Sequence, residues 1–253
     1  MSRNRNRYLL DLTNAPSIEA LWDMHSRKMA DYGFDRLLYG FTYYRTATSL
    51  GDPNDFLLLT NHDPSYTDAF LGGELYKNAP MTRWAMGHEG VSSWRLVDDL
   101  ARQGALSDAE LAVVEFNRKM GVTVGYTISF KAVSQRSKGA IALTARNGIS
   151  QDEADAIWAE HGDDIITMNN VAHLKILTLP FIGLPKPLTP RQREALEWVG
   201  DGKTTQDIAL LMGLTAATVE KHLRLAREAL NVETTAQAVL KAAFQNQMFV
   251  LDL

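Results

Sequence analysis

The chain has 253 residues, 45% apolar and 22% charged, with 26 Lys plus Arg against 30 Asp plus Glu. Those proportions exclude disordered, collagen-like and coiled-coil classes, and a net charge of −4 gives no bulk attraction to nucleic acid or anionic lipid, so any such surface has to be local. With no cysteine there is no disulfide, thiolate nucleophile or cysteine-based zinc site, in keeping with a reducing, cytoplasmic setting. The apolar stretch that follows Arg3, Arg5 and Arg7 is too short for a signal-peptide core, and the tract from Ile176 to Pro185 is too short to span a membrane.

At the amino end, Ile18, Leu21, Trp22, His25 and Met29 recur at helical spacing behind Ser17, a suitable N-cap. Two strand-like runs follow, Leu37 to Tyr44 and Phe56 to Thr60, separated by the turn cluster Gly51-Asp52-Pro53-Asn54. Ser107 and Glu110 form a capping box ahead of a helix that Gly121 stops. Val122 to Phe130 and Ala140 to Ala145 read as central strands. A second box, Ser150 with Glu153, opens a helix to about Leu177. This order predicts an α+β fold, a mainly antiparallel sheet covered by helices, over residues 1–179.

Pro180, Pro185, Pro187 and Pro190 then fall close together, and proline both fixes φ and removes a backbone donor. Residues 180–187 are therefore expected to be a linker. The remainder, 188–253, is small enough to require compact helices.

That last unit is predicted to be an all-α four-helix domain. Thr189-Pro190-Arg191-Gln192 supplies an N-cap, a first-position proline and a capping partner. A short helix from about Thr205 stops at Gly213, a longer one starts after Thr215, and a final one runs from about Ala236 to Phe244. A short helix, a glycine turn and a longer helix with a basic outer face make a helix-turn-helix pattern. The unit as a whole is not basic, with seven Lys or Arg against eight Asp or Glu. Its positive charges gather on one face, and the candidate DNA contacts are Lys203, Thr205, Thr215, Thr218, Lys221, His222, Arg224 and Arg227.

The segments Leu188 to Glu194, Gly202-Lys203-Thr204-Thr205, Ile208-Ala209, Gly213-Leu214, Thr218 to Leu223 and Ala229 to Val232 resemble the DNA-binding domain of LuxR-type regulators. The departures are Gln192, where that family usually has Glu, and Glu220, where it often has a basic residue. The large unit in turn resembles the acyl-homoserine-lactone sensors of quorum sensing. The resemblance puts Tyr66 where a Trp usually donates to the lactone carbonyl, Phe70 where a Tyr packs on the ligand, and Pro80, Trp94 and Gly125 at matching positions. Ala79 stands where the family's Asp accepts the ligand's amide N–H. A buried donor left without an acceptor costs roughly 1 to 3 kcal/mol, so Thr42, His62, Ser129 or Thr144 has to supply one, or the signal is a non-lactone metabolite, or none is needed. The resemblance implies a homodimer on a near-palindromic double-stranded operator, with half-sites roughly 34 Å apart.

An enzyme is not expected. Gly202-Lys203-Thr204 lacks the earlier glycine and the preceding strand of a phosphate loop. The histidines, His25, His62, His88, His161, His173 and His222, contain no metal-binding pair, and no Gly-x-Ser-x-Gly elbow occurs. No metal or cofactor is expected. A receiver domain ahead of the helix-turn-helix is disfavoured because the strands do not alternate with helices in the required order.

Overall fold

The computed structural model describes residues 2–46, 49–132, 134–180 and 187–249. The chain forms two compact units, Met1–Ile176 and Leu177–Leu253. Residues 181–186 of the expected proline-rich linker lie outside the described residues.

In the first unit α1 (Ser2–Thr13) and α2 (Ile18–Asp31) precede β1 (Phe34–Thr42) and β2 (Leu57–Thr60). The Ser17 hydroxyl accepts from Ala20 N and caps α2 as expected. Next come α3 (Pro64–Thr67), a π-helical turn over Asp68–Gly72 and a 3-10 turn over Leu75–Asn78. Then follow α4 (Pro80–Gly87), β3 (Gly90–Ser93), α5 (Arg95–Arg102), α6 (Asp108–Lys119), β4 (Gly125–Ser129), β5 (Lys138–Ala145) and α7 (Gln151–Ile176). Both expected capping boxes are formed, Ser107 with Glu110 and Ser150 with Glu153.

The five strands make one sheet in the order β2-β1-β5-β4-β3, every pairing antiparallel. The predicted α+β class and mainly antiparallel sheet are therefore borne out. Strand boundaries differ by a few residues. β1 begins at Phe34 rather than Leu37, β4 is shorter than the expected run from Val122, and β5 begins at Lys138 rather than Ala140. Gly125 is required by close approach, since a Cβ there would stand 2.2 Å from the Leu143 carbonyl oxygen across the ladder.

Side chains alternate across a strand, and here the two faces differ in size. Leu37, Tyr39, Ile128, Ile141 and Leu143 are buried on one face, where α2 and α7 cover them. The opposite face carries Leu38, Gly40, Thr42, Ala140, Ala142, Thr144 and Thr127. Polar pins hold the packed side. Tyr8 donates to His25 Nδ1 at 2.7 Å, and His25 Nε2 donates to Asn169 at 3.0 Å, tying α1, α2 and α7 together.

The second unit contains α8 (Pro190–Gly200), α9 (Thr205–Met212), α10 (Ala216–Ala229) and α11 (Thr235–Phe244). Each begins behind a threonine cap, Thr189, Thr204, Thr215 or Thr234, whose side chain accepts from a first-turn amide. Gly213 closes α9 at φ 65°, a left-handed conformation natural to glycine. Leu196, Ile208, Val219, Leu223, Ala226, Ala238 and Ala242 fill the core between the helices. Among the described residues no helix is long and apolar enough to cross a membrane.

Candidate functional site

The small-residue face of the sheet does not meet a packed layer. Between it and α3 to α6 lies a cavity of about 550 Å³, within the range of small-molecule pockets. Gly40, Ala140 and Ala142 form its floor. Leu38, Phe56, Met81, Trp94 and Val122 supply much of its apolar wall.

Seven of the eight sequence-predicted ligand residues line this cavity: Thr42, His62, Tyr66, Phe70, Ala79, Trp94 and Thr144. Ser129 does not, because its hydroxyl is turned to the end of α4, 3.0 Å from Ala85 O and 2.7 Å from His88 O. That expectation is corrected. Thr42 borders the space, but its hydroxyl donates to Leu50 O at 3.0 Å and accepts from Tyr44 N at 3.0 Å.

One wall is an aromatic column. His62 stacks on Tyr66 at 4.6 Å, and Tyr66 lies against Phe70 at 5.1 Å and Phe116 at 5.6 Å, all within 26° of parallel. Such offset contacts add to the area buried. The Tyr66 hydroxyl donates to Asn117 Oδ1 at 3.3 Å, so in this state its oxygen faces the site as an acceptor. Burial, helped by the Arg36 guanidinium, pulls the His62 pKa down to about 4, leaving a neutral ring with one donor and one acceptor. Its Nε2 lies 3.4 Å from the Thr144 hydroxyl. Trp94 donates its indole N–H to Thr127 Oγ1 at 2.9 Å, so it serves both the core and the wall.

Ala79 occupies the N-cap position of α4 with φ −75° and ψ 126°, and it makes no side-chain cap. A methyl group there offers the first-turn amides nothing. Several lining groups were not singled out from sequence: Asp98, Asn117, Arg118, Thr127, Lys138 and Gln151. For Lys138 and Thr127 the signal was strand parity, since they share a sheet face with Ala140, Ala142 and Thr144. The others come from helices that only the tertiary fold brings to the cavity.

In the second unit, α10 stands after the glycine turn with Thr215 capping it and bonding to Thr218 at 2.9 Å. Lys203, Lys221 and Arg224 are exposed, and Thr205, Thr218 and His222 are partly so. Lys221 has no ion pair among the described residues. Arg224, in contrast, is paired with Glu228 on the same helix. Thr205 donates to Glu220 at 3.0 Å, so the outer face interleaves acidic and basic groups. Arg227 departs from the expected outward orientation. Half-buried, it donates to Thr235 Oγ1 at 2.8 Å, because the start of α11 packs beside the end of α10 and offers an acceptor.

Comparison with known proteins agrees with this arrangement. Residues 17–176 match the autoinducer binding domain, and residues 186–242 match the bacterial regulatory proteins of the luxR family. The transcriptional activator AnoR of Acinetobacter nosocomialis is 25% identical over 229 residues, covering 88% of this chain and 90% of that protein. LuxR of Aliivibrio fischeri is 20% identical, covering 75% and 74%. Among solved structures, SdiA in complex with octanoyl-rac-glycerol superposes with a TM-score of 0.51 at 18% identity, covering 95% of this chain and 93% of that one. CepR2 of Burkholderia cenocepacia superposes with a TM-score of 0.50 at 16% identity, covering 68% and 95%. With an autoinducer-binding fold built round a hollow sheet face and a helix-turn-helix behind it, the chain belongs to the LuxR family of quorum-sensing transcriptional regulators.

Proposed function

We propose that residues 1–179 sense a small amphipathic acyl signal of the acyl-homoserine-lactone type, and that residues 188–253, joined by the 180–187 linker, bind a near-palindromic operator as a homodimer in the cytoplasm. The observation that carries this reading is the cavity of about 550 Å³, apolar along its floor and bordered at one end by His62, Tyr66 and Thr144. Within it, His62, Tyr66, Phe70, Trp94 and Thr144 contact the signal, Thr42 and Ala79 border it, and Ser129 acts indirectly by bracing α4. On DNA, Lys203 and Lys221 meet phosphates, and Thr205, Thr215, Thr218, His222 and Arg224 lie near enough to read or position the groove. Arg227 acts by holding α10 to α11.

The mechanism is linkage. A signal that prefers the dimer-competent state shifts the population of DNA-binding protein by no more than its differential affinity for that state. AnoR and LuxR are named as transcriptional activators, and activation is the direction proposed here. As a LuxR-type regulator the chain works by binding and carries no catalytic step.

Ala79 favours one second reading, in which the signal is not a lactone. With no carboxylate at that position, a ligand amide N–H goes unmatched and a ligand without that donor gains. Thermal unfolding of the purified protein against a panel of acyl-homoserine lactones, with mass spectrometry of any co-purified small molecule, tests both. A shift of several degrees with a lactone supports the first. A co-purified ester or acid, with no lactone shift, overturns it in favour of the second.

A further inference from the structure

Lys138 is 6% exposed, an unusual degree of burial for a lysine. It opens β5 on the same face as Ala140, Ala142 and Thr144 and lines the cavity. At about 3.4 Å per residue, Lys138 and Thr144 stand roughly 20 Å apart along the strand. Between them the floor is alanine. The cavity therefore has polar residues toward both ends of the strand, with His62, Tyr66 and Thr144 at one and Lys138 at the other.

The hydrogen-bond inventory at Lys138 is incomplete. An ammonium has three donors, and the described acceptor is the His88 carbonyl at 2.8 Å. That carbonyl also accepts from Ser129 at 2.7 Å, so both of its lone pairs are engaged. Arg45 sits nearby, donating to Met86 O at 2.9 Å. Two cations at the carboxyl end of α4 exceed what its half-charge of dipole balances. Glu89 is the carboxylate in the neighbourhood, but it accepts from Ala132 N and forms no ion pair with Lys138 among the described residues. Burial first and the Arg45 charge second push the Lys138 pKa below its ordinary value, and the Glu89 charge offsets them only in part.

Capping α4 accounts for one Lys138 donor and leaves two. A signal ending in a methyl group would press hydrocarbon on the ammonium and leave those donors unmet. We infer that the cavity takes a signal with two polar ends, its head group at His62, Tyr66 and Thr144 and a carboxylate at the far end of its acyl chain, received by Lys138. This rests on the sensing role proposed above and specifies the class of signal. Lys138 then reads the far end of the chain, a position at which the length of the molecule is also measured.

Calorimetric titration of the full-length protein tests the inference with two matched pairs: N-octanoyl homoserine lactone and its analogue whose terminal methyl is a carboxylate, and octanoyl glycerol with the corresponding carboxylated ester. In each pair that binds, the carboxylated member is expected to bind at least about tenfold tighter, as a buried charge-assisted hydrogen bond requires. Lys138→Met should remove that preference and Lys138→Arg should retain most of it. Equal or better binding of the methyl-ended member to the wild-type chain overturns the inference while leaving the sensing role intact, and does so even if Lys138→Met fails to fold. Persistence of the preference in folded Lys138→Met also overturns it. Binding of no member of either pair removes the sensing role, and the inference with it.

Discussion

The two faces of the five-stranded sheet share one backbone and carry opposite contents. On one, Leu37, Tyr39, Ile141 and Leu143 are fully buried and pack on α2 and α7, with Tyr39 donating to His173 at 2.8 Å and His173 stacked on Phe130. On the other, the neighbouring residues Leu38, Gly40, Ala140 and Ala142 stop short of the covering helices and leave a cavity. Stability resides on the first face, and the recognition proposed above falls on the second. The alternation of large and small residues along β1 and β5 is thus a division of labour at a spacing of one residue.

Paired substitutions give the largest test of that division. Leu143→Ala is expected to cost about 2 to 5 kcal/mol, because it opens a void in a close-packed layer. Its neighbour Ala142→Leu grows into existing space, so it should change stability by less than about 1.5 kcal/mol while abolishing ligand-induced stabilisation. Urea unfolding with and without a bound signal reads both. Equal destabilisation by the two would remove the distinction between the faces.

Acid should act on buried rings at both faces. Burial lowers the pKa values of His25, His173 and His62 to about 4 from 6.5, so the folded chain holds them neutral. Below about pH 6.5 the unfolded chain binds protons that the folded chain does not. Their contribution is therefore whole above about pH 6.5 and is lost progressively toward about pH 4, by at most about 1.4 kcal/mol per pH unit for each ring. Denaturant midpoints across that range measure the slope, and His62→Asn should remove the share belonging to the cavity. A flat profile would mean that these rings titrate normally.

A smaller effect is expected at the cavity rim. Ala79→Asp places a carboxylate at the uncapped N-terminus of α4 and should stabilise the unliganded protein by about 1 kcal/mol, seen as a higher Tm. If the new oxygen also reaches the cavity, the response to acyl-homoserine lactones improves. A rise in Tm without that response would separate capping from recognition at one position.

The smallest change in stability belongs to the second unit. Lys221→Ala removes an exposed side chain and should leave the fold unchanged, yet lower the salt slope of operator binding by about 1. An unchanged slope takes Lys221 off the phosphate.

How much could be read beforehand follows the range of the forces involved. The helix-turn-helix was legible because its signals are local: threonine caps at 189 and 215 and a glycine turn at 213. Arg227 was misread because its partner, Thr235, belongs to another helix. In the sensor, the capping boxes and β1, β2, β4 and β5 were visible, whereas α1, α3, α4, β3 and α5 were not. α1 is rich in Arg and Asn and is held by Tyr8 and by packing on α7, and β3 is a four-residue edge strand. Most of the predicted ligand residues reach the cavity, but Lys138 was passed over because β5 was begun at Ala140. Apart from Thr127 on β4, the others missed, Asn117 and Gln151 among them, sit on helices whose approach no local pattern encodes.

The register of the central strands also sets a timetable. β1 pairs with β5 from Phe34 opposite Ala145, far apart in the chain, and β4 has to join β5 as well. Closing so long a loop is slow compared with the nearest-neighbour contacts of α8 to α11. During synthesis the amino-terminal strands therefore wait for Ala145 to leave the ribosome before the cavity floor exists.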